Sequence, residues 1–163
     1  MAWRTRTSTE SAATNATPLV SDVVSVSGMA TSGSQSSPFL LEMTFDPNNL
    51  KYGANSLSKC IANDNIYMVS NGASGWENSV LENTGGTAKY MGLSDPNALS
   101  ISDTNLSSYL GDYGVWTSAS GDYAWAVVNH NSEFAVIPEP STLGLLVAGF
   151  LSLIAYAWRK RRS

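Results

Sequence analysis

Residues 39–45 read FLLEMTF, with Phe39, Leu41, Met43 and Phe45 on one side and Leu40, Glu42 and Thr44 on the other. Period-two alternation of this kind predicts a half-buried strand. Asp46-Pro47 closes it. Ile66–Ser70 (IYMVS) and AKYMG at 88–92 read as further strands, with NGASG at 71–75 as a turn and TGGT at 84–87 as a breaker. WENSVLEN (76–83) fits neither period. The stretch Ala54–Ala62 suits one or two helical turns, and residues 94–108 read as loop.

The clearest pattern lies at residues 109–131. Tyr113, Val115 and Thr117 alternate before Ser118–Gly121, and Tyr123, Trp125 and Val127 alternate after it. Aromatic and β-branched residues flanking a glycine-containing loop predict a hairpin. Glu133–Ile137 (EFAVI) predicts a last strand. Several short strands with turn punctuation predict a mainly β body: a small antiparallel sheet or a partial β-sandwich.

Two stretches break the pattern. Residues 1–36 include 14 Ser or Thr, with short apolar clusters around Leu19-Val20 and Val23-Val24. So little apolar surface barely offsets the entropy of ordering. The reading is a linker or disordered segment, with one weak strand near Asp22–Val26. At the other end, Leu143–Trp158 is 16 residues without a formal charge, followed by Arg159, Lys160, Arg161 and Arg162. As a helix it spans about 24 Å, against about 30 Å for a hydrocarbon core. Its apolar residues cover the whole circumference rather than one stripe. One C-terminal transmembrane helix is therefore expected at 143–158, with the cationic cluster as its cytoplasmic stop-transfer anchor. The body then lies on the far side. Gly144, Ala148 and Ser152, spaced by four, leave a smooth ridge for a second helix.

Charge sharpens this. Residues 1–158 carry 5 basic and 13 acidic residues, a net of -8. An acidic body excludes nucleic acid as a partner, because nothing positive meets the phosphates. The lone cysteine, Cys60, excludes an internal disulfide and reads as a small buried hydrophobe.

Between body and helix stands Ile137-Pro138-Glu139-Pro140. Each proline fixes φ and forces its predecessor toward extended geometry. A stiff extended strip with one charged side chain suits an enzyme's binding groove. Ser141 or Thr142 caps the helix that follows. In this order, Pro-Glu-Pro, short apolar span and terminal Arg/Lys cluster resemble the PEP-CTERM sorting signal of envelope-bearing bacteria. VIPEPSTLGLLVAG is similar to that family's VPEPSTLALLGLG pattern, and the resemblance covers Ile137 to Arg162.

The resemblance implies an exported protein held in the membrane by a single pass, its body extracytoplasmic. An exosortase-type processing enzyme then recognises Pro138, Glu139 and Pro140, and cleavage releases the body or attaches it to the surface. An ice-binding label attached to such tails describes the tail and assigns no ice binding to the body. Family members begin with a signal peptide, and no apolar stretch follows Arg4 and Arg6 here. The expectation is a misplaced start or the C-terminal piece of a longer protein. The organisation that follows is 1–36 linker, 37–137 β-rich body and 138–163 sorting and anchor segment.

The body offers little chemistry. His130 is the only histidine, so a triad or a histidine metal cluster would have no second imidazole. Asp and Asn at 63–65, 94–97, 111–113 and 121–123 supply oxygens suited to calcium. None has the twelve-residue loop, and these are ordinary turn residues. No metal, no cofactor and no enzyme activity are expected. Two readings of the body remain open. One is a structural or adhesive envelope protein. The other is a carbohydrate-binding module at the end of a larger polysaccharide-acting protein. The second makes envelope polysaccharide the partner and Trp76, Trp116 and Trp125 the glycan contacts. Alternation puts Trp116 opposite Tyr113, so one ring belongs to the core and the other faces out.

Overall fold

The computed structural model of the protein describes residues 1–6, 19–28, 37–47, 50, 61, 66–73 and 75–138. Within them the alternating segment forms strand β3 (Phe39–Phe45), as its pattern requires. The hairpin forms β7 (Asp112–Ser118) and β8 (Gly121–Val128), and the last strand is β9 (Ser132–Pro138). Ile66–Gly72 is β4, Gly75–Asn78 is β5 and Lys89–Leu93 is β6. Inside the stretch whose composition reads as linker, β2 (Val23–Val26) forms where the weak strand is expected, and β1 (Ala2–Arg4) forms as well.

These strands build two sheets, ordered β1-β2-β9-β4-β5 and β3-β8-β7-β6. The described pairs are antiparallel except that β6 runs parallel to β7, so the second sheet is mixed rather than purely antiparallel. A parallel neighbour needs a crossover, and the loop 94–110 supplies it. Among the described residues no helix is long and apolar enough to cross a membrane. The expected helices at 54–62 and 143–158, with the ridge Gly144–Ser152, lie outside the described residues, apart from Ile61.

Both sheets share one core. From β3, Leu41 and Met43 stand opposite Ala126 and Ala124 of β8, whose other neighbours are Tyr113 and Val115 of β7. Phe39 meets Phe134 of β9 edge-on at 6.4 Å, and Tyr67 of β4 meets Tyr113 at 6.2 Å. The stretch 19–21 joins the sheets at one corner. Val20 donates its N–H to Val136 at 2.8 Å, and its carbonyl accepts from Asp46 at 3.2 Å. The buried Ser21 hydroxyl accepts the Val136 N–H at 2.8 Å, standing in for a missing strand neighbour.

On the opposite side two asparagines read backbone. Asn83 accepts from the Asn129 N–H and donates to the Val127 carbonyl. Asn129 accepts from the Thr84 N–H and donates to its carbonyl. This ties the segment after the 3-10 turn Ser79–Glu82 to the end of β8.

Glu133 staples the first sheet from β9. It accepts from Arg4 of β1 at 3.3 Å, Ser25 of β2 at 3.4 Å and Asn71 of β4 at 3.1 Å. The Arg4 hydrogen bond, then that of Asn71, holds its carboxyl below the usual range against a smaller effect of burial. A lowered folded pKa contributes stability above the unfolded pKa and loses it as pH falls through the carboxylate range. Glu133→Gln is expected to cost roughly 0.5–1 kcal/mol at pH 7, because the pair is one-third exposed, and less at pH 3. Urea melts at the two pH values check this.

Candidate functional site

The proline-flanked strip begins inside the folded body. β9 is paired on both sides, with β2 across Val24↔Phe134 and with β4 across Met68↔Val136, Tyr67↔Ile137 and Ile66↔Pro138. Phe134, Ala135 and Val136 are fully buried and Ile137 nearly so. Pro138 is buried as well, as the last residue of the strand. A proline suits that place: it contributes a carbonyl but no N–H, so the ladder ends there without an orphan donor. The body thus delivers the chain in extended form to residue 139. Glu139, Pro140 and the cluster Arg159–Arg162 lie outside the described residues.

Residues 136–162 match the family model described as the PEP-CTERM protein-sorting motif. The chain carries a PEP-CTERM protein-sorting motif. The first three residues of the matched stretch, Val136, Ile137 and Pro138, are β9 residues, so motif and body overlap. The PEP-CTERM motif supports an exported chain, association with the membrane and processing by an exosortase. Neither a curated protein nor a solved structure matches the chain.

The three tryptophans read as glycan contacts do not converge. Trp125 is completely buried and donates its indole N–H to the Ser94 carbonyl at 2.7 Å, so the structure removes it from that set. It lies on the outer face of its sheet over Gly114, where an added Cβ would meet its Nε1 at 3.0 Å. Ser94, at the start of the loop 94–110, lies against it. Its cross-strand neighbour Glu42 shares that shelter, and burial, then Asp95, raises its pKa. Trp116 is half-buried and stacks on Tyr123 at 4.4 Å, so one face of its ring is occupied. Trp76 stands on β5 of the other sheet. As alternation requires, Tyr113 faces the core and Trp116 faces away.

His130 tilts over Phe134 at 5.4 Å and donates from Nε2 to the Ser79 carbonyl at 2.9 Å. Ser70 donates to Glu82 at 2.6 Å, and His130 Nδ1 stands 3.7 Å from that same carboxylate. The acid sits between hydroxyl and imidazole, the wrong order for a base to activate a serine. Asp95 accepts from Asn97 within its turn at 2.8 Å. Among the described residues no three His, Cys, Asp or Glu side chains gather to hold a metal. The triplet 63–65 and Cys60 lie outside them.

Proposed function

We propose that this chain is an exported cell-envelope protein, anchored by a single C-terminal span and processed by an exosortase, with a body of structural or adhesive role. The motif at 136–162, continuous with a buried central strand, is the observation that carries it. Pro138, Glu139 and Pro140 form the recognised handle. Arg159, Lys160, Arg161 and Arg162 hold the span's end on the cytoplasmic side, where positive charge resists translocation. β9 fixes the handle's near end and the span fixes its far end. The few residues between them reach at most about 3.3–3.6 Å each. The body is therefore kept near the membrane surface until it is cut. Glu139→Ala tests the handle: it removes the one charge of the strip and leaves β9 intact. The expected result in the native host is an uncut form that accumulates in the membrane fraction. Normal processing of that variant overturns the recognition role.

A further inference from the structure

The body holds a cleft of about 830 Å³ whose walls come from two segments, 86–89 before and along β6 and 105–112 leading into β7. Backbone packing builds its floor. Gly111 takes φ +97°, and an added Cβ would meet the Thr87 carbonyl oxygen at 2.5 Å. Gly86 takes φ +78°, and there the clash is with the Leu110 carbonyl oxygen. Lys89 donates its N–H to the Gly111 carbonyl at 3.0 Å, and Gly111 donates to Val127 at 3.1 Å. Only glycine lets the two segments approach this closely.

Asp112 lines this cleft, and its residue is only 8% exposed. Its carboxylate makes no hydrogen bond and no ion pair with any described residue. Lys89, its register partner across the parallel pair, stands near without closing a salt bridge. Its oxygens are not among the buried orphan atoms of the described residues, so they open into the cleft, where they can accept from a ligand. Burial raises its pKa, and Lys89 opposes that more weakly. Around the rim stand the exposed hydroxyls of Thr87, Ser107 and Ser108 and the half-buried ring of Tyr109. Tyr109 is held in place by its hydroxyl, which donates to the Leu99 carbonyl at 3.1 Å.

The mixture selects the ligand. A cation would meet one carboxylate and be repelled by Lys89; an anion would meet Asp112. A neutral polyol satisfies both, donating hydroxyls to Asp112 and accepting from Lys89 and the serines, with an apolar sugar face against Tyr109. We infer that the cleft between residues 86–89 and 105–112 binds a neutral carbohydrate, with the Asp112 carboxylate as the hydroxyl acceptor.

This site is separate from the tryptophans that sequence composition brings forward, and it does not depend on the sorting reading. The test is calorimetric titration of the full chain in detergent with cellotetraose, chitotetraose and mannotetraose, and with calcium chloride and inorganic phosphate. At least one tetrasaccharide is expected to bind saturably in the millimolar range or tighter. Asp112→Asn should weaken that binding about tenfold or more while raising the melting temperature at pH 7, because a desolvated charge is removed. Lys89→Met should weaken it as well. A purely structural Asp112 would instead lower the melting temperature on substitution. The inference is overturned if no tetrasaccharide binds, if Asp112→Asn binds like the parent, or if calcium or phosphate saturates the cleft in their place. None of these results touches processing at Glu139, and normal processing of Glu139→Ala leaves sugar binding untouched.

Discussion

A chain that stops at Glu133 will not fold, whereas one that stops at Pro138 will melt as a single cooperative body. The five residues between them decide the matter because β9 is a central strand, paired with β2 and β4 at once. Phe134, Val136 and Ile137 each withdraw a side chain from water, worth about 1.5–3 kcal/mol apiece. Removing them also opens the ladders on both sides and leaves Ser21 and Val20 without their partner at Val136. That loss rivals the whole stability of a small domain, about 5–15 kcal/mol. Circular dichroism of the two truncations checks it. The consequence for processing is direct. A cut upstream of Pro138 would unfold what it releases, so the body sets the near limit of any productive cleavage. Cooperative melting of the shorter chain would show that β9 is dispensable.

Trp125→Ala carries the second large effect, a loss of about 3–5 kcal/mol. The indole is fully buried, roofed by the loop that starts at Ser94 and floored by Gly114. Truncation empties that space and leaves the Ser94 carbonyl without its donor. Backbone holds both walls, so the site collapses poorly and the cost falls toward the upper end of the range. Trp125→Phe keeps most of the volume and loses the hydrogen bond, which separates the two contributions. Denaturant midpoints of the three proteins give the measurement. A change below about 0.5 kcal/mol, the ordinary range for a surface position, would contradict the burial.

The sequence announces β3, β7 and β8 by alternation, β4, β6 and β9 as short runs between turn residues, and β2 as a weak strand. β1 gives no such sign. Its three residues are held by pairing with β2, about twenty residues on, and by Arg4 on Glu133, 129 residues away in the chain. WENSVLEN stays ambiguous because it is two things, the end of β5 and the 3-10 turn capped by Asn78. The parallel pairing of β6 leaves no local mark at all. On β8 alternation misleads in part. The large residues Trp125 and Val127 face away from the shared core, which takes the alanines between them. A loop then buries the outward face, and period-two reasoning has no means to see a loop fold back.

The two candidate sites differ in the same way. A sorting motif is linear, since an enzyme reads it as a stretch of extended chain, so its residues stand together in the sequence. Its overlap with β9 is visible only once Ile66 is seen opposite Pro138. The cleft is assembled from segments that meet through Gly86 and Gly111, and GDY at 111–113 looks like any turn. Nothing local distinguishes Asp112 from Asp122, yet the first is buried and the second is not.

The sorting account predicts a specific end to the mature protein. Intact-mass and C-terminal peptide analysis of the chain recovered from the native envelope should find a terminus at or after Pro138 and no trace of the final Arg159–Ser163. A polypeptide that keeps those last residues and fractionates with the cytosol would contradict it.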